Sequence, residues 1–246
     1  SRCKGSEKFA YRKMNEEKLY IGRCLQLARL AEYDVAPNPM VGAVLVRHLP
    51  EGDQILAEGW HERYGEAHAE PNCIRHAEEF YPEGIDYKHC TLYVNLEPCS
   101  HYGKTPPCAE LIIRKGIGRV VIGTLDPNPQ VAGRGVRMMR EAGIDVIVGV
   151  MEEECRELNK RFFCLQEKKR PYVILKWAET ADGYIDIQRD GGKPITISTP
   201  LTKQLVHQQR AENMAIMVGT RTVLLDNPRL LTTHWSGRNP IRITLD

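Results

Sequence analysis

Two short runs of the sequence contain side chains that commonly bind metal ions. The first is His68-Ala69-Glu70, and the second contains Cys99 and Cys108, each of which follows a proline. One imidazole and two thiolates form a donor set that suits Zn²⁺. Because structural zinc sites are usually closed by four protein ligands, a set of three leaves the fourth position for water. The sequence therefore predicts a catalytic zinc centre with His68, Cys99 and Cys108 as its ligands.

Glu70 lies two residues after His68 and supplies the acid–base group that such a centre needs. A His-x-Glu run followed by Pro-Cys and a second cysteine is typical of zinc deaminases, in which the glutamate moves protons and does not bind the metal. Zinc lowers the pKa of a bound water towards neutrality. We predict that Glu70 accepts a proton from this water and delivers it to the ring nitrogen and the leaving amine.

These two runs also have less specific interpretations. A histidine and a glutamate at the start of a helix are often only exposed capping residues. Eight residues separate the two cysteines here, where the common deaminase motif has two. It is the joint occurrence of both runs that favours a zinc site. We expect four other cysteines to be small buried apolar residues within helices: Cys24, Cys73, Cys155 and Cys164.

Helical and strand patterns alternate around these residues. Helical periodicity predicts helices near 14–32, 67–80, 108–115, 135–142 and 151–166, and apolar runs predict strands near 40–46, 54–59, 91–95, 119–123 and 144–150. The alternation indicates a layered α/β domain with a mostly parallel sheet. After a charged segment that ends at Pro171, strands are predicted near 172–179, 214–219 and 241–245, and a helix near 199–211. Residues 1–13 are polar and patternless, which is typical of an N-terminal extension.

Composition and charge exclude several classes of partner. The net charge is only +2 and aromatic residues are 7% of the chain, which argues against a basic groove with stacking rings for nucleic acid. No apolar run is long enough for a transmembrane helix, and the first residues do not resemble a signal peptide. We therefore expect a cytoplasmic protein with no nucleic-acid partner and no membrane partner.

Further motifs accompany the metal-binding runs. In chain order the motifs are NPMVGAV (38–44), GWH (59–61), HAE (68–70), LEPCSHYGKTPPC (96–108), DPNP (126–129) and GRG (133–135). Together they resemble the family of bifunctional riboflavin-biosynthesis deaminase–reductases, over roughly residue 14 to the last residue. The resemblance implies a three-layer, cytidine-deaminase-like domain over residues 14–166, with a mostly parallel sheet. It also implies that residues 171–246 are the N-terminal part of a dihydrofolate-reductase-like α/β domain.

The resemblance implies a substrate for the first domain, 2,5-diamino-6-ribosylamino-4(3H)-pyrimidinone 5′-phosphate, whose 2-amino group is replaced hydrolytically to give the uracil and ammonia. Asn38, His61 and Lys104 are the residues that it places against this nucleotide. An asparagine can pair with a pyrimidine edge, and a lysine offers a point charge to a phosphate. The alternatives are that Asn38 caps a turn, that His61 is a structural histidine and that Lys104 is solvated. His101 is interpreted as part of the loop, since the ligand set is complete without it.

For the second domain the resemblance implies NADPH-dependent reduction of the ribosyl group to a ribityl chain. Along the cofactor it places four residues: Ala178, Thr196, Thr222 and Asp226. It places Arg210 and Leu230 along the substrate. A guanidinium can hold a phosphate through two hydrogen bonds, and the alternative for Arg210 is an ordinary surface ion pair.

Two departures from the family pattern affect the reductase. Thr233 stands where the family often has an arginine, which removes a phosphate contact. Residues 172–246 also contain no glycine-rich turn for the cofactor phosphates, so we expect a chain that ends at Asp246 to deaminate without oxidising NADPH. A half-built sheet exposes strand edges, and we expect these edges to be mobile or to pair with another chain in a homo-oligomer.

Three alternative functions remain open at this point. The chain could be a deaminase with an inactive reductase segment, or another cytidine-deaminase-like enzyme that acts on a nucleoside or on RNA. It could also be a zinc-stabilised binding module without activity. The open ligand position and the adjacent Glu70 argue against this last alternative.

Overall fold

The computed structural model describes residues 3–102, 106–128, 132–188 and 193–245, with side chains from residue 15 onward. It divides into two compact units, residues 1–172 and 173–246. Lys104 and Pro129, which belong to two of the motifs above, lie outside the described residues. No helix in the described part of the chain combines the length and the apolar character that a membrane span requires.

The first unit is built on a mixed five-stranded sheet. Its strands are β1 (Gly42–Leu49), β2 (Gly52–Trp60), β3 (Cys90–Leu96), β4 (Arg119–Thr124) and β5 (Asp145–Val148). Their order across the sheet is β2-β1-β3-β4-β5, and β1 is antiparallel to both β2 and β3, whereas β3, β4 and β5 are parallel. The expectation of a mostly parallel sheet is therefore wrong, because the hairpin strand β1 pairs antiparallel with β3 as well as with β2.

Helices cover both faces of this sheet. They are α1 (Cys3–Arg29), α2 (Ala69–Phe80), α3 (Cys108–Lys115), α4 (Arg134–Glu141), α5 (Glu152–Leu158) and α6 (Lys160–Lys168), with a 3-10 turn at Tyr87–His89. Helices α2, α3 and α4 pack on one face, around residues such as Leu45 and Ile122. Helices α1 and α5 pack on the other face, around residues such as Val46 and Tyr93. Successive strand residues alternate between the two cores, so the first unit has the predicted three layers.

Local sequence signals explain both ends of helix α3, whereas other helices of the first unit differ from what the sequence predicts. Helix α3 begins at Cys108 directly after two prolines and ends before Gly116, whose φ of 70° is the left-handed conformation that glycine adopts easily. Helix α1 begins at Cys3, so it includes most of the segment that the sequence suggests to be an N-terminal extension. The single helix expected over 151–166 is divided at Asn159 into α5 and α6.

The second unit contains α7 (Pro200–Glu212), β6 (Ala215–Val218), α8 (Thr220–Asp226) and β7 (Ile241–Thr244). Strands β6 and β7 are parallel neighbours connected through α8. Helix α7 begins as its sequence predicts, because the Thr199 side chain accepts a hydrogen bond from the Thr202 N–H at 3.2 Å and Pro200 occupies the first turn.

One strand predicted for the second unit does not form. Residues 172–179 carry no regular secondary structure, and side chains such as Leu175 and Trp177 are exposed. A strand needs a neighbour to satisfy its backbone, and none of the described strands pairs with this segment. Helix α8, by contrast, forms where the sequence patterns predict neither a helix nor a strand.

Candidate functional site

The three predicted metal ligands meet in the first unit. His68 precedes the first residue of α2, Cys99 lies in the segment after β3, and Cys108 is the first residue of α3. Their ligand atoms all lie within 4.8 Å of one another. His68 Nδ1 is 3.6 Å from Cys99 Sγ and 3.4 Å from Cys108 Sγ, so the imidazole presents its Nδ1 side to both sulfurs.

The start of α3 joins the two cysteines. The Cys108 N–H donates to Cys99 Sγ at 3.3 Å, and the Ala109 N–H donates to the Cys99 carbonyl oxygen at 3.1 Å. The first N–H groups of a helix have no partner within the helix and carry partial positive charge, so they stabilise a thiolate. Both cysteines therefore lie at the N-terminus of the same helix, α3.

The protonation equilibria of the three groups are strongly linked. A hydrogen bond from Cys108, followed by one from His68, lowers the pKa of the Cys99 thiol well below its usual value. The neighbouring Cys99 raises the pKa of Cys108, and the hydrogen bond to Cys99 raises the pKa of His68 to about 9. A divalent cation bound between these atoms would displace their protons, because thiolates and neutral imidazole are the forms that bind metal. The donor set and its geometry therefore fit zinc.

Glu70 lies in the first turn of α2, two residues after the metal ligand His68, and only 3% of it is exposed. Burial raises the pKa of this carboxyl above its usual value, although the charge of His68 and a hydrogen bond from Cys108 oppose the shift. A carboxyl group with a raised pKa can both accept and return a proton near neutral pH. This is the position and the electrostatic environment predicted for the proton carrier.

Asn38 and His61 lie together next to the metal ligands. Asn38 Nδ2 is 3.1 Å from His61 Nε2, and His61 Nδ1 is 2.9 Å from the Ala67 carbonyl oxygen. Since a carbonyl only accepts, Nδ1 carries the proton and Nε2 accepts from Asn38. Burial lowers the pKa of His61, which favours this neutral ring. The His61 and His68 ring centroids are 5.4 Å apart, so this pair of side chains borders the metal centre.

The remaining expectations for the first unit have mixed outcomes. Lys104 lies outside the described residues. His101 is exposed and is not part of the three-residue group of candidate ligands. The cysteines expected to be buried, Cys24, Cys73, Cys155 and Cys164, are all buried and free.

Glu97 has a structural role at the site that the sequence did not reveal. Its buried carboxylate accepts hydrogen bonds from the backbone N–H groups of Asp126 at 3.1 Å, Gly133 at 2.9 Å and Val136 at 3.2 Å. These bonds join the start of α4 to the Glu97-Pro98-Cys99 segment that carries a metal ligand. The only sequence signal was the presence of Glu97 within the LEPC run, because its partners are 29 to 39 residues away.

In the second unit a cavity of about 430 Å³ brings together three of the predicted residues, Arg210, Asp226 and Leu230. Ala178, Thr196 and Thr222 do not line it, and Thr196 and Thr222 are exposed. The lining is rich in groups that carry or can accept positive charge, since Lys203, His207, Arg210, Arg229 and His234 all contribute. Such a lining is suited to an anionic ligand.

His207 and Arg210, on one face of α7, hold the segment that closes this cavity. Arg210 Nη1 donates to the Leu231 carbonyl oxygen at 2.8 Å. His207 Nδ1 accepts from the backbone N–H groups of Thr233 at 3.0 Å and His234 at 3.3 Å. Arg210 Nη1 also lies 3.4 Å from His207 Nε2, so its described contacts include an imidazole as well as a backbone carbonyl. Thr233, the departure noted in the sequence, lines the cavity.

Two family models match the chain. The cytidine and deoxycytidylate deaminase zinc-binding region matches residues 14–124, and the RibD C-terminal domain matches residues 171–246. Among curated relatives, the riboflavin biosynthesis protein RibD of Actinobacillus pleuropneumoniae is 44% identical over 92% of this chain and 57% of its own length. RibD of Aquifex aeolicus is 45% identical over 94% of this chain and 62% of its own length. The chain thus spans about three fifths of the length of these relatives.

Solved structures of deaminase and RibD proteins are also similar to this chain. A diaminohydroxyphosphoribosylaminopyrimidine deaminase/5-amino-6-(5-phosphoribosylamino)uracil reductase from Thermotoga maritima is 44% identical with a TM-score of 0.83, over 95% of this chain and 64% of that one. Acinetobacter baumannii RibD is 34% identical with a TM-score of 0.84, over the same shares of the two chains. The Aspergillus oryzae Rib2 deaminase in complex with DARIPP is 28% identical with a TM-score of 0.50, over 62% of this chain and 94% of that one.

Proposed function

Since this chain belongs to the RibD family of riboflavin-biosynthesis proteins, we propose that its first unit is a zinc-dependent deaminase. Its substrate is 2,5-diamino-6-ribosylamino-4(3H)-pyrimidinone 5′-phosphate, and its products are 5-amino-6-ribosylaminouracil 5′-phosphate and ammonia. The observation that carries the proposal is the convergence of His68, Cys99 and Cys108 within 4.8 Å, with the buried Glu70 two residues after His68. The similar Thermotoga maritima protein is a deaminase/reductase by name.

The metal ligands and Glu70 are proposed to have different roles in the reaction. His68, Cys99 and Cys108 would hold zinc, which when bound supplies Lewis-acid activation of water. Glu70 would accept one proton of the attacking water and deliver it to the pyrimidine ring nitrogen. It would then carry the second proton, from the added hydroxyl, to the amine, which departs as ammonia. Its burial supports both steps, because a raised pKa makes the protonated carboxyl accessible near neutral pH. The same enclosure excludes bulk water that would otherwise screen these charges.

Asn38, His61 and Lys104 are proposed to bind the nucleotide. The hydrogen bond between Asn38 and His61 fixes the orientation of the Asn38 amide, which can then pair with the edge of a pyrimidine. Lys104 belongs to the same run as Cys99 and Cys108, so its charge is available to the substrate phosphate near the site.

The second unit is proposed to contribute to NADPH-dependent reduction of the ribosyl group to a ribityl chain. Arg210 and Leu230 would contact the substrate, and Ala178, Thr196, Thr222 and Asp226 would contact the cofactor. The basic lining of the cavity around Arg210 and Asp226 supports an anionic ligand there. We assign the deaminase to residues 14–166 and this part of the reductase to residues 171–246.

The proposal also covers the partners, the compartment and the oligomeric state of the enzyme. Its partner is a small pyrimidine ribonucleotide, and neither a nucleic acid nor a membrane is involved. We propose that the enzyme is cytoplasmic and forms a homo-oligomer. The exposed apolar side chains of β6 and β7, such as Met217 and Ile241, support association with further protein surface.

The proposal is tested by measuring ammonia released from the diaminopyrimidine nucleotide by zinc-loaded protein. Cytidine and a single-stranded RNA are tested as alternative substrates in separate, parallel reactions. We expect ammonia from the diaminopyrimidine nucleotide at a rate that far exceeds the rates with the other two. Ammonia formed mainly from cytidine or from RNA would overturn the substrate assignment. If none of the three substrates released ammonia, the deaminase assignment would be overturned.

A further inference from the structure

Two buried asparagines hold the backbone of Met40, two residues after Asn38. Asn159 Oδ1 accepts from the Met40 N–H at 2.8 Å, and Asn159 Nδ2 donates to the Met40 carbonyl oxygen at 2.9 Å. Asn95 Nδ2 donates to the same carbonyl at 3.1 Å, and Asn95 Oδ1 accepts from the Gly42 N–H at 2.8 Å. Met40 precedes β1, so its peptide groups lie outside the strand ladder. The Asn159 amide supplies the donor and the acceptor that a neighbouring strand would have supplied.

Asn159 is itself held rigidly in place. It is 4% exposed and lies at the junction of α5 and α6, where its N–H donates to the Arg156 carbonyl and its carbonyl accepts from the Phe163 N–H. Helix α5 packs against the sheet through Cys155, and Gly123 provides the necessary space. A Cβ atom at Gly123 would lie 2.3 Å from Cys155 Sγ. The position of the Asn159 side chain is therefore fixed by the sheet below it and by both helices beside it.

We infer that Asn159 is a positioning residue for the deaminase site, because its side-chain amide clamps both peptide groups of Met40 and so orients Asn38 towards His61. The inference rests on the proposed deaminase function of the first unit. Asn159 is 119 residues from Met40 in sequence. It also lies outside both segments that the family models match, residues 14–124 and 171–246. The α5–α6 segment is then part of the deaminase site and not a spacer between the two units.

The Asn159→Ala variant tests this role through the kinetics of ammonia release. The substitution removes two buried hydrogen bonds that reach the site through Asn38, while the metal ligands and Glu70 lie on other elements. We expect KM for the nucleotide to rise about tenfold or more, with kcat changed much less and the zinc content unchanged. The matched control is Val146→Ala on the edge strand β5, which loosens the core on the face of the sheet opposite to α5. It should lower the melting temperature and leave KM unchanged.

A double-mutant cycle tests whether Asn159 acts on the site through Asn38. If Asn159 acts through Asn38, the KM of the double variant Asn38→Ala/Asn159→Ala should be close to that of Asn38→Ala alone. Fully additive effects would overturn the inference, as would an equal rise in KM in Val146→Ala, since both would make Asn159 a general stabilising residue.

A measurement without substrate separates this inference from the proposed function. Hydrogen exchange at the Met40 amide should be at least about tenfold faster in Asn159→Ala than in the wild type, and unchanged in Val146→Ala. If the wild type releases no ammonia, the proposed function fails, and the exchange rate still tests the clamp. Wild-type exchange at Met40 in Asn159→Ala would overturn the inference.

Discussion

The two units of this chain enclose their apolar side chains to very different degrees. Among the described residues, the buried apolar side chains belong to the first unit, with Ala211 as the exception. The second unit exposes large apolar residues on β6, α8 and β7, including Met217, Leu224 and Ile241. Two-stranded sheets of this kind have little stability by themselves.

This difference bears directly on the two candidate sites. In the first unit the described functional side chains hold one another, as Asn38 is held by the buried His61. In the second unit the residues expected to bind one cofactor are distributed between a cavity and exposed positions. Preorganised groups contribute most to catalysis, so we expect the first site to work with the structure that it has. The second site needs further protein surface over its exposed apolar residues.

The largest effect that we predict concerns the proton carrier of the enclosed site. Glu70→Gln should reduce ammonia release by roughly two to four orders of magnitude, the usual loss for a removed acid–base group. Zinc content and the melting temperature should stay close to wild type, because the amide has the same shape. A Gln variant with near-wild-type ammonia release would show that Glu70 does not carry the proton.

The phosphate contact of the first unit should have the next largest effect. Lys104→Ala should lower kcat/KM for the phosphorylated nucleotide about tenfold to a hundredfold, as expected for the loss of a charge-assisted hydrogen bond. The dephosphorylated nucleoside is the matched control, and its kcat/KM should change little. Equal losses on both substrates would indicate that Lys104 supports the structure of its loop and does not contact the phosphate.

Matched glycine substitutions compare the packing of the two units. A Cβ atom at Gly59 would lie 2.4 Å from the Cys73 nitrogen, where α2 crosses β2, whereas a Cβ atom at Gly219 in the second unit meets nothing within 4 Å. Gly59→Ala should therefore lower the free energy of unfolding by about 1–3 kcal/mol, the usual range for overpacking. Gly219→Ala should change it by less than about 0.5 kcal/mol. Urea denaturation measures both, and equal effects would remove the contrast in packing.

The smallest predicted effect is a pH dependence in the second unit. Burial, followed by the charges of Arg210 and His234, lowers the pKa of His207, and its neutral Nδ1 accepts two backbone N–H groups. The unfolded state binds the proton more readily, so this contribution is present above the ordinary histidine pKa and is lost as pH falls through the lowered one.

Hydrogen exchange at the Thr233 and His234 amides measures this loss. We expect acidification from neutral pH to reduce their protection, after correction for intrinsic exchange. His207→Asn places Oδ1 where Nδ1 was and does not titrate, so the pH dependence should disappear in this variant. A dependence that persists in His207→Asn would have another origin.

Local signals in the sequence were sufficient where the chemistry is local. Helix α3 was predicted over 108–115, because two prolines precede it and Gly116 ends it. The three metal ligands were predicted because their residue types and motifs restrict the chemistry, and the structure brings them together.

Features that depend on distant partners were missed. The break at Asn159 satisfies the backbone of Met40, which is 119 residues away. The charge of Glu97 is stabilised by backbone N–H groups that follow β4. The antiparallel pairing of β1 with β3 and the missing strand over 172–179 depend in the same way on which strands become neighbours. Periodicity along the chain contains no information about such neighbours.

The central claim is that the first unit holds an open zinc site formed by one histidine and two cysteines. Zinc K-edge X-ray absorption of the purified, zinc-loaded protein tests it most directly. We predict one zinc per chain with two sulfur ligands, one imidazole nitrogen and one further light-atom ligand from water. Cys108→Ala should lose most of this zinc. A spectrum with four protein ligands, or full zinc occupancy in Cys108→Ala, would contradict the account.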